Sequence, residues 1–509
     1  MIPLGKGQMT IDIGRRQFIS ALVGAAVAWP RATRAQQPAL PVVTSTTTNA
    51  AGVSVAASAN GRYLVNSSGQ PFLMLAISAQ GMAIESVADV TLFLSTYASL
   101  GFNAVQFDLV TLGYVTQGNP DYKTRDGLFP FAGNAGLLSN FNASTSPNAN
   151  YWARMDAFVA LCEQYGLWAL LNPYPPNNGD LGRAGAKACQ AFGQFVGNRY
   201  KNSPNVGWQF GNDYGVGSED SAMAALIEGV QAVVPSSTLM SMELNSPPDS
   251  TAFDDFNFTP YLNMTGAYCY DVTFWRGIIS YNNSSTWFNG SAGTNKTPTP
   301  CPSIMLEANY EFENIGAGAA APGTPLTMRC QSYWTVLSGM CGQIYGNGFV
   351  STSFETSPGA NIRVGGYNAG GWRNNMATTG AAHLLIWKNF FNSIAWYNLV
   401  PDQAHVVGTA GYGSLPTRGT KFGKTTYNTV AATPDGTCAV AYFLYGQTPA
   451  LTVNMAKFAG PVTAQWFDPT NGTYSKISGS PFANTGRHNF SPSGNNSAGD
   501  PDFVLLLTV

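Results

Sequence analysis

Trp208-Gln-Phe-Gly-Asn-Asp-Tyr-Gly215 and Pro302-Ser-Ile-Met-Leu-Glu-Ala-Asn-Tyr-Glu311 are built alike. Each begins as a short apolar run and ends in a carboxylate beside an amide and an aromatic. A carboxylate at the end of an apolar strand costs free energy unless it is paired or put to use. In an eight-stranded α/β barrel the C-terminal strand ends carry the chemistry. The two stretches therefore read as strands of one barrel, with Asp213 and Glu307 as two acids at its mouth.

Working outward, strand patterns alternate with helix patterns. Runs at 72–77, 102–108, 167–172, 206–210, 238–243, 264–270, 303–307 and 342–345 read as eight strands, and the continuous apolar run 72–77 as one buried on both faces. Helical patterns at 87–100, 151–165, 182–200, 218–234, 272–282, 325–340 and 377–400 fall between or after them. The Ser/Glu/Asp start at 218–220 reads as the cap of its helix. Gly61 to Phe72 reads as a hairpin with its turn at Asn66–Gly69. The expected fold is a (β/α)8 TIM barrel over residues 60–402. After Pro401 the pattern becomes short alternating runs, at 438–444, 451–454, 462–467 and 503–507, separated by turn signals such as Asp468-Pro-Thr-Asn-Gly472. This reads as a small antiparallel β-sandwich over 403–509. Asp435, Asp468 and Asp500 read there as turn residues.

Composition narrows the function. Charged residues make up 10% of the 509-residue chain and the net charge is −2. That excludes the basic surface nucleic acid requires and gives no polybasic membrane signal. At the N-terminus, Gly14-Arg15-Arg16-Gln17-Phe18-Ile19-Ser20 precedes an apolar Ala/Gly-rich run and the small-residue site Thr33-Arg34-Ala35. This reads as a twin-arginine signal over 1–35, too short to span a bilayer, with a Pro/Thr/Ser-rich linker over 36–59. The expected location is the periplasm or the exterior, with no stable membrane insertion once the signal is removed. The seven cysteines are odd in number, and three histidines lie far apart. Neither a zinc site nor a Ser-His-Asp triad is indicated, and no metal or other cofactor is expected. Cys162 and Cys189 read as core residues, whereas Cys330 and Cys341 could bridge.

Two carboxylates from separate strands are what glycosidic-bond hydrolysis uses, one as acid and one as nucleophile or base. Asp213 is the candidate acid/base, its rival reading being a cap on the following helix. Glu307 is the candidate nucleophile, with Glu311 its rival four residues on. Asn212 is placed to bond the hydroxyl beside the anomeric carbon. Asp108, Asn172, Tyr174, Glu243, Tyr268 and Asp271 stand at or near other strand ends as candidate substrate contacts. Tyr214, Trp275, Trp287, Tyr310 and Trp372 are candidate sugar-stacking rings, and Glu311 is a candidate hydroxyl contact. The competing expectation is a non-catalytic glycan-binding or surface-polysaccharide assembly protein on the same barrel. A polysaccharide lyase would instead want a Lys, His or Tyr base.

With these residues in view, the chain resembles the apiosidase-like family of barrel glycoside hydrolases with a C-terminal collagen-binding-type sandwich. The resemblance rests on Gly61–Phe72, Gly101-Phe-Asn-Ala-Val105, Arg199-Tyr-Lys-Asn-Ser-Pro-Asn-Val206, Trp208–Asp213, Leu306–Glu311, Ser338-Gly-Met-Cys-Gly-Gln-Ile-Tyr-Gly346 and Gln465-Trp-Phe-Asp-Pro-Thr-Asn-Gly472. It implies a carbohydrate substrate and a retaining mechanism, with the acid/base after strand four and the nucleophile ending strand seven. Asn212-Asp213 then stands where many retaining barrel enzymes carry Asn-Glu. Ala76-Ile-Ser-Ala-Gln-Gly81 departs from the Gly-Asp-Thr-Ala-Trp-like run of the family, so the sugar contacts beside the first strand are not carried over.

Overall fold

The computed structural model describes residues 53–111, 122–133, 136–141, 147–176, 179–215, 217–245, 251–255, 257–270, 277–282, 300–312, 323–351, 354, 371–417 and 425–509. The signal segment, most of the linker, Asp271, Trp275 and Trp287 lie outside them.

The eight apolar runs form one parallel sheet. Its strands are β3 (Met74–Ser78), β4 (Ala104–Asp108), β5 (Trp168–Asn172), β6 (Val206–Tyr214), β7 (Met240–Leu244), β8 (Thr265–Tyr268), β9 (Ser303–Glu307) and β10 (Gly342–Tyr345). They are ordered β7-β6-β5-β4-β3-β10-β9-β8. The ends of that order meet where Met264 N donates to Met240 O at 3.1 Å, so the sheet curls into a nearly closed TIM-like barrel. Ahead of it, β1 (Val55–Ala57) pairs antiparallel with β2 (Leu64–Asn66), and Gly69 N donates to Asn66 O in the expected turn.

Five helices lie close to their expected positions: α1 (Val87–Ser99), α2 (Ala149–Gln164), α3 (Asp180–Tyr200), α4 (Asp220–Gln231) and α5 (Pro325–Leu337). Ser86 and Asn148 cap α1 and α2 through side-chain oxygens. Glu219, at the cap of α4, makes no side-chain capping bond; Asp220 instead accepts from Gly217 N at 2.9 Å. The last helix, α6 (Thr379–Asn392), is shorter than the expected 377–400. Val400 and Pro401 are drawn into a strand, β11, that pairs with Ala431 and Ala432. Proline ends helical pattern by lacking an N–H and pushing its predecessor into extended backbone.

The C-terminal part is the expected sandwich. One sheet runs in the order β11, β13 (Thr429–Ala432), β14 (Cys438–Leu444), β19 (Asp502–Thr508), β16 (Thr463–Phe467) and β17 (Tyr474–Lys476), and the other in the order β12 (Gly408–Ala410), β15 (Leu451–Asn454) and β18 (Arg487–Phe490). Its long central pair is β14 (Cys438–Leu444) and β19 (Asp502–Thr508). One apolar cluster, including Phe443, Leu451, Val453 and Leu505, fills the space between the sheets. The outward residues Tyr442, Leu444, Phe467, Val504 and Leu506 belong instead to the barrel's core cluster, with Tyr333, Trp334 and Phe390. Tyr333 stacks on Tyr442 at 5.0 Å with 9° between the planes. In this seam Arg329, fully buried on α5, bonds Asp502 at 2.8 Å and Asp500 at 2.6 Å. Asp500 is thus an ion-pair partner as well as part of a turn. All seven cysteines are buried and unbridged, including Cys330 and Cys341. Cys330 faces the Tyr442 hydroxyl, while Cys341 Sγ bonds Ser303 O. Among the described residues no helix is long and apolar enough to cross a membrane, and no group of His, Cys, Asp or Glu could hold a metal.

Candidate active site

The mouth of the barrel is shaped by an irregularity in β6. Its register against β7 shifts between Phe210 and Tyr214. Across that shift Gly211, Asn212 and Asp213 take φ of +99°, +75° and +55°. A left-handed conformation costs a non-glycine residue about 1 kcal/mol or more, and two in succession must be held by their surroundings. Gly211 has no alternative, because a Cβ there would lie 2.2 Å from Glu243 O.

The holding is done by a buried polar network. Asn172 Nδ2 donates to Gly211 O at 3.1 Å and to Asp108 Oδ1 at 3.1 Å. Asn212 Nδ2 donates to the same Asp108 oxygen at 2.7 Å, and Asn212 Oδ1 accepts from Gln106 Nε2 at 3.2 Å. The backbone N–H of Asp213 donates to Glu243 Oε1 at 3.0 Å, and Gln209 Nε2 donates to Glu243 Oε2 at 3.1 Å. Asp108 is fully buried, and burial drives its carboxyl well above the usual range, against the pull of Asn172 and Asn212. A neutral acid suits a site where its second oxygen has no hydrogen-bond partner among the described residues.

Across the mouth, Glu307 ends β9 at 5% exposure. Tyr270 donates its hydroxyl to Oε1 at 2.6 Å and Tyr310 donates to Oε2 at 3.0 Å, so both oxygens are oriented. Glu243 lies between the two acids in strand order. Its carboxyl is pushed well up by burial first, then by the charges of Glu307 and Asp213. Asp213, Glu243 and Glu307 therefore form one electrostatic unit.

The structure sorts the other expected site residues. Asp108, Asn172, Asn212 and Glu243 join the network that supports the β6 irregularity, each at most 3% exposed. Tyr310 is beside Glu307, as a hydroxyl donor rather than a stacking face. Tyr268 packs edge-on against Tyr270 at 5.5 Å. Tyr174 donates to Asp180 at 2.7 Å beneath the first turn of α3, and Tyr214 donates to Asp220 at 2.8 Å while packing on Phe258. Both are buried core, and so is Trp372, wedged against Phe354 and Phe93. None of the three shows an exposed face, whether for the substrate contact expected of Tyr174 or for the sugar stacking expected of Tyr214 and Trp372. Nor is Glu311 a hydroxyl contact: it accepts from Gly380 N at 3.1 Å, Thr378 Oγ1 at 2.6 Å and the Tyr345 hydroxyl, fastening the start of α6. The N-cap position of the helix named in the capping reading of Asp213 is Glu219, which makes no side-chain capping bond.

Tyr270, Gln106 and Gln209 were not anticipated. Tyr270 carried a signal, since it lies two residues past Tyr268 at a strand end and so points to the same side. The glutamines carried none, because a polar residue inside a continuous apolar strand does not announce its partner. A cleft of about 340 Å³ lies at the opposite end of the barrel, lined by Arg62, Tyr63, Tyr281, Trp396 and Asp435 among others. Asp435 is the one carboxylate among its described lining residues and is held in a turn by Thr433 and Thr437.

The family model described as "Apiosidase-like, catalytic domain" matches residues 58–398. That described as "Putative collagen-binding domain of a collagenase" matches residues 400–508. No curated protein matches the chain. A crystal structure of a glycoside hydrolase family 5 protein from Bacteroides vulgatus ATCC 8482 is similar, with a TM-score of 0.68 at 20% identity, over 89% of this chain and 93% of that one. A second solved structure, described as a glycoside hydrolase, has a TM-score of 0.67 at 19% identity, over 89% of this chain and 96% of that one. At such identities the likeness is one of fold.

Proposed function

Because the chain belongs to the apiosidase-like family, we propose that it hydrolyses a glycosidic bond in a bacterial or plant polysaccharide or oligosaccharide, with Asp213 as acid/base and Glu307 as nucleophile. The observation that carries this reading is the pairing of two acids at one barrel mouth, each held by its own hydrogen bonds. Glu307 has both oxygens oriented by tyrosine hydroxyls, and Asp213 is fixed through its backbone to Glu243.

In the first step Glu307 attacks the anomeric carbon while protonated Asp213 donates to the leaving oxygen. In the second, Asp213 takes a proton from water, which attacks the same carbon and releases Glu307. The charge gained and lost by Glu307 stays within reach of Tyr270 and Tyr310, whose O–H groups need not reorganise during the reaction. An amide carries two N–H groups, and Asn212 uses one on Asp108; the other serves the sugar hydroxyl beside the anomeric carbon.

The test is hydrolysis by the full chain against aryl glycosides and plant and bacterial polysaccharides, with Asp213→Asn and Glu307→Gln in parallel. Each variant is expected to lose at least about a thousandfold in kcat while retaining substrate binding. The first-formed sugar, followed by proton NMR, should keep its anomeric configuration. Full activity in both variants would move the chemistry to other strand ends. Glycan binding without turnover in the wild type would make this a binding protein on a hydrolase barrel. Export forms part of the same proposal: Arg15→Lys with Arg16→Lys should hold the precursor in the cytoplasm, and unchanged export would remove the twin-arginine reading.

A further inference from the structure

Glu243 has no step in the proposed hydrolysis, yet its carboxylate is bonded directly to Asp213. Its Oε1 accepts the Asp213 N–H at 3.0 Å, and its main chain presses against Gly211, where a Cβ would meet Glu243 O at 2.2 Å. It therefore touches both ends of the left-handed run of Gly211, Asn212 and Asp213. The middle of that run is held separately, through Asn212 and Asp108. With 2% exposure, Glu243 has little surface to offer a sugar.

We propose that Glu243 is a positioning residue: its carboxyl clamps Asp213 in the left-handed conformation. The role of Asp213 rests on the proposed hydrolase reading. The charged groups that act on Glu243 are Glu307 from β9, Asp213 from β6 and Asp108 from β4, all carboxylates. The opposing contribution is the N–H of Asp213 itself. Packed like charges cannot all be carried at once, so protons are distributed over the group rather than owned by one member. An ionised Glu243 penalises a further negative charge beside it. Activity that needs a protonated acid then persists to higher pH with Glu243 than without it.

Glu243→Gln and Glu243→Ala in the full chain separate the clamp from the charge. The glutamine keeps an acceptor for Asp213 N–H but no charge; the alanine keeps neither. Gln209 can turn its amide to suit, since its Oε1 has no hydrogen-bond partner among the described residues. Glu243→Ala should lose tenfold or more in kcat, and Glu243→Gln should recover most of it. KM should stay within about twofold in both, while the alkaline limb of kcat/KM in Glu243→Gln falls by about one pH unit, the effect of one removed like charge nearby.

A second readout needs no substrate. A carboxyl pushed up in the fold binds its proton more tightly there than in the unfolded chain. It therefore withdraws stability as pH rises above the ordinary glutamate value of 4.5. The Tm of Glu243→Gln should gain on wild type progressively from pH 4.5 to 8. An unshifted alkaline limb, a tenfold rise in KM, or a Tm difference constant with pH would overturn the proposal. If Asp213→Asn and Glu307→Gln stay fully active while the Tm difference still grows with pH, the hydrolase assignment fails and the raised Glu243 carboxyl stands.

Discussion

At Glu307 two tyrosine hydroxyls meet one carboxylate, and they reach it from different directions. Tyr270 follows β8, and Tyr310 is three residues beyond Glu307 itself. A hydrogen bond to a charged group is worth about 1.5–3 kcal/mol. Part of that is felt in the transition state of the second step, where the carboxylate regains its charge as it leaves carbon. Tyr270→Phe and Tyr310→Phe should each lower kcat by roughly 10-fold or more, with the double variant departing from additivity because the two donors share one acceptor. Steady-state kinetics of the cycle would settle it; wild-type kcat in both single variants would leave the tyrosines without a role in the reaction. Here the sequence was only half legible. Tyr310 was nameable as a residue near the acid, but its use as a donor was not, since a ring in a loop advertises a face before a hydroxyl.

At the scale of elements, the strands were readable because each is an apolar run buried on both faces, a pattern that loop variation does not erase. The end of α6 was not. Its pattern runs on past Asn392, and only the pairing of Val400 with Ala432 shows that the segment serves the sandwich. Glu311 makes a related point. It looks like a second active-site acid, but its carboxylate sits at the N-terminal end of α6, where the helix dipole and the N–H of Gly380 receive it. Burial raises its carboxyl, and its bonds to Thr378, Tyr345 and Gly380 pull the other way. Glu311→Ala should therefore cost about 2–4 kcal/mol of stability by denaturant titration, with kcat per folded molecule nearly unchanged. A loss of kcat at full stability would return Glu311 to the chemistry.

For the whole molecule, the seam between barrel and sandwich is a packed core with a buried charge in it. Arg329 bonds Asp502 and Asp500 and donates to His383 Nδ1 at 2.8 Å. Removing one partner of a buried pair strands the other, at about 3–5 kcal/mol. Arg329→Leu should lower the Tm of barrel and sandwich together in one transition; two separated transitions would mean the seam does not couple them. His383 is held neutral, its value brought down to about 4 by burial first and by Arg329 next. A base depressed in the fold contributes stability above its unfolded value of 6.5 and loses it as pH falls toward 4. Over that window the loss is about 3 kcal/mol. His383→Gln keeps an acceptor for Arg329 and cannot titrate, so its stability should flatten between pH 6.5 and 4. The same acid-induced loss in both proteins would show that His383 is not its source.

The sequence by itself determined the barrel, the sandwich and the two acids at separate strand ends, because burial on both faces and the cost of a charge at a strand end are local properties. Only the tertiary structure decided which neighbours do what. Tyr174, Tyr214 and Trp372 became core and Glu311 a helix fastener, while Tyr270 joined the site and Gln209 entered it unannounced. The left-handed turn at Asn212 and Asp213 belongs to this second kind. Gly, Asn and Asp tolerate it better than other types do, but it is held because Asp108, Asn172 and Glu243, brought in from three other strands, together supply the hydrogen bonds that strained backbone requires.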